Sequence, residues 1–357
     1  VNLRQSFAID LPLLGCVALL VLTGLLTMYS AALDFPGRFE LHLRNIAIAA
    51  AIMVVVARIP PPLMMKFAAP VYSAGVVLLV AVALAGINRK GSQRWIYLGA
   101  EFQPSEMMKI ATPLMLAWFF HQYSHIQRWQ KFSLAGLLLL LPFLLIAEQP
   151  DLGTALLVGS AGFYVILLAG LPWKAIATIA VGTVLGAPLF WHLLYDYQRD
   201  RILTLLNPGA DPLGKGFQVT QAGIAIGSGG VSGKGWLAGS QGHLGFIPER
   251  STDFVFSVYA EEFGLAGNIV LVLMYALLIV RGLQIASNAT TQFSRLLAAA
   301  ITMILFTYAF VNLAMVSGIA PVVGVPLPFM SYGGTALVTL GLACGILLSV
   351  QRQTLRP

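Results

Sequence analysis

Ten apolar segments, each long enough or nearly long enough to cross a lipid bilayer, divide this 357-residue chain. They fall at about 11–32, 43–57, 66–86, 105–121, 132–148, 152–170, 173–195, 253–280, 296–318 and 331–350. About 20 apolar residues in a helix match a hydrocarbon core of ~30 Å. Within lipid, such a helix satisfies its own backbone. The expectation is therefore an all-α polytopic membrane protein, a single domain over 1–357 with about ten transmembrane helices. Composition agrees, with 58% hydrophobic and 10% charged residues. A soluble chain carries about 25% charged residues, so this one cannot cover itself with charge in water. The net charge of +7 is no argument for nucleic acid, because Lys and Arg gather at helix ends facing anionic lipid.

The run 11–32 suits a spanning helix better than a signal-peptide core, so no cleavable signal is expected. The sequence opens at Val1 without Met, and a few more residues are expected upstream. Cys16 and Cys344 lie in apolar runs near opposite ends, which argues against a disulfide framework.

Short loops fix an orientation. Ten Lys and Arg residues fall on the side of the N-terminus and five in the opposite short loops, which favours a cytoplasmic N-terminus. Ten spans then place both termini in the cytoplasm and leave 196–252 as a large extracytoplasmic loop between helices 7 and 8. Of the fourteen acids only Asp10 falls on the cytoplasmic side. Acids avoid an anionic inner leaflet, but thirteen on one face also fit an outward-facing active site.

Within 196–252, Arg199-Asp200-Arg201 followed by Ile202, Leu203, Leu205 and Leu206 looks like an amphipathic helix lying in the interface. Asn207-Pro208 and Asp211-Pro212-Leu213-Gly214 are turn signals. The run Gly227 to Trp236 is not a P-loop, because Ser228 and Gly235 break that pattern. It reads as a compact loop able to bring backbone close to a ligand. Asn288-Ala-Thr290 matches a glycosylation sequon in a predicted cytoplasmic loop. His121 and His125 have helical metal-ligand spacing without a third ligand. Neither carries function.

The polar motifs gather where even-numbered helices start at the outer surface. Arg44 opens the second, Gln103-Pro-Ser-Glu106 the fourth with Lys109 a turn on, and Gln149-Pro-Asp151 the sixth. Ser251-Thr-Asp253 opens the eighth, and Pro328 to Gly334, including Ser331, the tenth. Helix N-termini offer free N–H groups and partial positive charge, so several aimed at one cavity suit a phosphate or pyrophosphate. Glu106 and Lys109 share a helix face and can pair, and charges within a span are functional by default. Asp151 is also an ordinary N-cap. Lys109, a cation near a helix N-terminus, works against the dipole and calls for a partner or ligand. Glu261 and Glu262, about 12 Å further along the eighth helix, suit either helix packing through a structural polar contact, the favoured reading, or a proton path.

Gln103 to Lys109, Gln149 to Thr154, Gly227 to Trp236, Pro248 to Phe254 and Pro326 to Gly334 together resemble the SEDS family, the shape, elongation, division and sporulation proteins of bacteria. The likeness runs from about Arg44 to Gly334 and is nearer the elongation branch than the division branch. It implies a peptidoglycan glycosyltransferase of the bacterial cytoplasmic membrane. Such an enzyme would polymerise lipid II beside a class B penicillin-binding protein and other elongation-complex membrane proteins. It places the family's essential acid on Asp253, and functional positions on Glu106, Lys109, Asp151 and, less directly, Arg44 and Arg94; Ser331 joins these as a candidate substrate contact. Inverting transfer would use Asp253 as general base, with cations stabilising the pyrophosphate that leaves. A divalent cation, Mg or Mn, could assist, although no dedicated metal cage is visible in the sequence. The rival readings are a lipid II flippase and a scaffold that only recruits the penicillin-binding protein.

Overall fold

A computed structural model describes residues 10–89, 92–97, 101–207, 209 and 214–355. Arg4, Lys90, Arg356, Pro208 and the turn signal at Asp211-Pro212-Leu213 lie outside these. The chain is mostly helical, with thirteen helices among the described residues. Seven are long and apolar enough to cross a membrane.

The first three are α1 (Leu11–Ala31), α2 (Arg38–Val56) and α3 (Pro61–Ala85). Asp10 caps α1, its Oδ1 accepting from Leu13 N at 2.8 Å. The same carboxylate receives Arg281 on both oxygens, at 3.0 and 2.5 Å. α2 starts at Arg38, six residues ahead of Arg44, which corrects the expectation that Arg44 opens this helix. The reason is local: Gly37 is left-handed at φ 77° and ends the preceding turn, and Glu40 lies in the first turn, where the dipole favours it.

Between α3 and the next helix runs a three-stranded antiparallel sheet that hydropathy did not announce: β1 (Ile87–Arg89), β2 (Ser92–Tyr97) and β3 (Glu101–Phe102). Then come α4 (Pro104–Gln122), α5 (Arg128–Glu148), α6 (Leu152–Leu168) and α7 (Trp173–Leu193). The segment 196–252 holds three more helices, α8 (Asp196–Leu206), α9 (Lys215–Ser228) and the short α10 (Ser240–His243). The last three are α11 (Val255–Ser287), α12 (Gln292–Val316) and α13 (Gly334–Thr354).

α12 is the central post. Of its apolar window 72% is buried, against 17% for α5, which faces outward. α4, α6, α11 and α13 pack around it. α2 lies along α13, where the missing side chains of Gly341 and Gly345 admit the α2 backbone: a Cβ at Gly341 would meet the Ala49 carbonyl oxygen at 2.4 Å.

α11 is broken inside. Gly264 has φ 62° and ψ −161°, a conformation closed to residues with a side chain. Leu265 N and Ala266 N, which would bond back to Glu261 and Glu262, donate instead to Gly230 O at 2.9 Å and Val231 O at 3.0 Å. The carbonyls released at Glu261 and Glu262 accept from Lys234 N and Gly235 N, both at 3.0 Å. The glycine-rich run therefore inserts into a gap in a helix ladder. Two of its glycines admit helix backbone: a Cβ at Gly229 would meet Ala260 O at 2.3 Å, and one at Gly233 would meet Glu262 O at 2.1 Å. Glu261 is fully buried and accepts from Lys234 Nζ at 2.6 Å and Ser240 N at 2.8 Å, so it ties this loop down.

Candidate active site

The motifs at the start of α4, before α11 and at the start of α13 converge on one open cavity of about 510 Å³. Its polar lining includes Glu106, Arg201, Gln218, Glu249, Asp253 and Tyr332.

Asp253 stands in the turn ahead of α11. The cap position belongs to Phe254, which has no side-chain capping bond, and Val255 is the first helical residue. The turn is clamped through its main chain. Asn312 Nδ2, fully buried on α12, donates to Asp253 O at 2.8 Å and to Val325 O at 2.7 Å. Ser331 Oγ donates to Thr252 O at 2.7 Å and accepts from Leu327 N at 2.8 Å. Tyr332 N donates to Ser251 O at 2.8 Å. Gly324, left-handed at φ 74°, leaves room beside the carboxylate, since a Cβ there would lie 3.4 Å from Asp253 Oδ2. Ser331 is thus buried and its hydroxyl is spent on two backbone groups; it shapes the site from behind.

Glu106 reaches the cavity from the first turn of α4. Pro104 occupies an early position of that helix, where its missing N–H costs nothing. Glu106 Oε1 takes Lys109 Nζ at 2.5 Å, and Oε2 accepts from Thr339 Oγ1 at 3.1 Å. Lys109, 2% exposed, also donates to Tyr308 Oη at 2.7 Å. The partner that the sequence demanded for Lys109 is therefore Glu106, with Tyr308 as a second that hydropathy hid inside α12. Lys109 holds Glu106 from within the bundle and does not line the cavity.

Asp151 does two things. Its Oδ1 caps α6 by accepting from Thr154 N at 3.2 Å, and Oδ2 accepts from Gln103 Nε2 at 2.9 Å. Arg94, delivered by β2, places Nη1 3.6 Å from Asp151 Oδ1 and donates from Nη2 to Pro150 O. The small sheet is what brings this arginine to the site.

Arg44 is exposed on α2 and is not among the cavity's lining residues. The neighbouring Asn45 approaches the start of α13, where a Cβ at Gly334 would lie 3.4 Å from Asn45 Nδ2.

Arg201 is the cavity cation that sequence reasoning missed as a site residue. Its charge run gave a signal, read there as an interfacial helix. Its Nε and Nη1 are buried without a hydrogen-bond partner. Burial lowers its pKa from the ordinary arginine value; Tyr197 opposes that, and so, more weakly, do Asp151 and Asp253. A guanidinium with two buried donors unspent, lining a cavity shared by three carboxylates, is equipped to receive an anion. Among the described residues no group of three or more His, Cys, Asp or Glu could hold a metal ion.

Residues 10–356 match the FtsW/RodA/SpoVE cell cycle proteins. The chain belongs to that family. With the peptidoglycan glycosyltransferase MrdB of Escherichia coli K12, this family member shares 48% identity over 340 residues, covering 95% of this chain and 92% of the relative. Its fold matches a chain of a peptidoglycan synthase complex that coordinates polymerization and crosslinking. The TM-score is 0.84 at 33% identity, with 98% and 99% of the two chains covered. The rod shape determining protein RodA of Thermus thermophilus matches with a TM-score of 0.74 at 29% identity, covering 97% of each chain. The resemblance read from the motifs holds, and the apolar helices of this family member make it an integral membrane protein.

Proposed function

We propose that this protein is a peptidoglycan glycosyltransferase that polymerises lipid II during cell elongation. The observation that carries the reading is the cavity shared by Asp253, Glu106 and Arg201 in a family member whose relatives are named for that activity. Asp253 acts as general base and takes the proton from the acceptor sugar's 4-hydroxyl as that oxygen attacks the donor's anomeric carbon. A positioned base contributes about 10²- to 10⁴-fold. The carbon–oxygen bond to the lipid pyrophosphate breaks with inversion. Arg201, with unspent N–H groups, stabilises the phosphate oxygens as charge develops there. Glu106 is held by Lys109 and Thr339 as a fixed acceptor for substrate hydroxyls. Asp151 and Arg94 shape the adjoining rim, Ser331 fixes the base's turn, and Arg44 meets substrate only at the periphery.

The same reading sets ten helices across the bacterial cytoplasmic membrane, α1 to α7 and α11 to α13, in a single domain over 1–357. Both termini lie in the cytoplasm and 196–252 lies outside. α8 to α10 then roof an outward-facing cavity. The synthase-complex relative supports a class B penicillin-binding protein as partner.

The test is lipid II polymerisation by the purified protein with its penicillin-binding partner, the transpeptidase blocked, comparing wild type with Asp253→Asn. Glycan from the wild type and none from a folded, partner-bound variant is the expected result. Equal polymerisation by both would remove Asp253 as base. Headgroup translocation by a variant that polymerises nothing would turn the reading toward a flippase.

A further inference from the structure

At the far end of α2 from Arg38, about 28 Å away at 1.5 Å per residue, a second cavity of about 240 Å³ opens. It lies between the α2–α3 turn and the last turn of α13, walled by Ala57, Ile59 and Pro60 and lined by Arg58, Arg352 and Gln353. Ser349 Oγ donates to Ile59 O and pins the two walls together.

Both charged side chains lining this cavity, Arg58 and Arg352, are cations. Gln353 Oε1 already accepts from Ser294 Oγ at 3.3 Å, which leaves its amide hydrogens for an acceptor. Among the described residues neither Arg58 nor Arg352 pairs with an acid. The one acid that the sequence assigns to this side, Asp10, has both oxygens on Arg281. Three other cations of this side are occupied: Arg281 on Asp10, Arg128 on Gly170 O and Lys131 on Ser124 O. Pro60 caps α3 and Pro61-Pro62 open it, so its first two positions lack N–H donors, and an anion here is held by side chains. Helix dipoles account for one arginine at each helix end. Here two such ends meet, so both arginines converge on one apolar-walled cavity, and no acid among the described residues pairs with either.

We propose that this cavity binds the phosphate of an anionic glycerophospholipid. Guanidinium forks match phosphate oxygens in pairs. The alanine, isoleucine and proline walls accept the glycerol and first methylenes, and basic pockets between helices at a membrane surface take such headgroups. By the orientation proposed above the lipid comes from the inner leaflet, although the site chemistry does not depend on it.

The test is native mass spectrometry of the intact purified protein in neutral detergent, titrated with phosphatidylglycerol or phosphatidylcholine, with inorganic phosphate as competitor. Wild type should retain phosphatidylglycerol at least about tenfold more tightly than phosphatidylcholine. Arg58→Gln/Arg352→Gln should bring that ratio close to one, and Arg58→Lys/Arg352→Lys should keep most of it. Arg128→Gln/Lys131→Gln should leave it unchanged. No preference in the wild type, or a full preference in the folded double glutamine variant, overturns the proposal. So does displacement of the lipid by millimolar inorganic phosphate, which would make this a site for soluble phosphate. If the double variant fails to fold, Arg58→Gln alone, at an exposed side chain, decides: an unchanged ratio overturns it. Lipid II is absent throughout, so the outcome is separate from the polymerase reading.

Discussion

Lys109 Nζ lies 2.5 Å from Glu106 Oε1, one turn apart on α4, and neither charge stands alone: Tyr308 of α12 takes the lysine and Thr339 of α13 donates to the carboxylate. Three helices thus meet on one ion pair. Removing one partner of a buried pair costs about 3–5 kcal/mol because the other charge is stranded. Glu106→Gln should lower the thermal unfolding midpoint in detergent markedly. Glu106→Gln/Lys109→Met should recover most of that loss while staying inactive. Equal destabilisation in single and double variants would mean that the two charges are not coupled.

Asp151 separates capping from charge. Asparagine caps as well as aspartate, whereas alanine costs roughly 0.5–2 kcal/mol. Asp151→Asn should therefore melt within about 1 kcal/mol of wild type, with Asp151→Ala clearly below both. Polymerisation should fall in both variants because Arg94 loses its counter-charge. Full activity in the asparagine variant would reduce Asp151 to a cap.

Arg201→Ala should leave the melting midpoint unchanged and lower polymerisation about 10- to 100-fold, within the range for a group that stabilises developing charge. The loss should appear in kcat more than in KM, with Arg201→Lys in between. A variant that changes only KM would place Arg201 in ground-state binding.

Gly264→Ala should cost more than about 2 kcal/mol, since a side chain at φ 62° is strained and its Cβ would lie 2.3 Å from Gly233 N. Gly223→Ala is the control. It is a helical glycine in α9 with open space around it, and it should be neutral or stabilising by about 0.5–1 kcal/mol. Size-exclusion profiles after heating would compare the two; equal behaviour would show that the break in α11 is not held as described.

A helix lies over every long apolar run, because bilayer-length hydrophobicity is a pattern one segment carries by itself. The start of α2 was misplaced because Arg38, Glu40 and Arg44 dilute its first turns, although Pro36-Gly37 marked the boundary. The sheet escaped because strands of two, three and six residues are too short for alternation to register. Asp253, Glu106 and Asp151 stood out as acids at predicted helix starts. Tyr308 did not, since a tyrosine inside an apolar helix resembles core. Nor did the break at Gly264, whose meaning depends on a loop some thirty residues earlier in the chain. What sequence left hidden was in each case a meeting of distant segments.

The clamp on the Asp253 turn also carries a sense of time. A ribosome delivers Glu249 to Phe254 well before Asn312, Ser331 and Tyr332, the residues whose bonds hold that turn. A nascent chain stopped before Asn312 would contain each acid of the cavity and still lack the bonds that hold the Asp253 turn. With Asp253 as the proposed base, a geometry fit for the chemistry would come only after the C-terminal helices have been translated and packed.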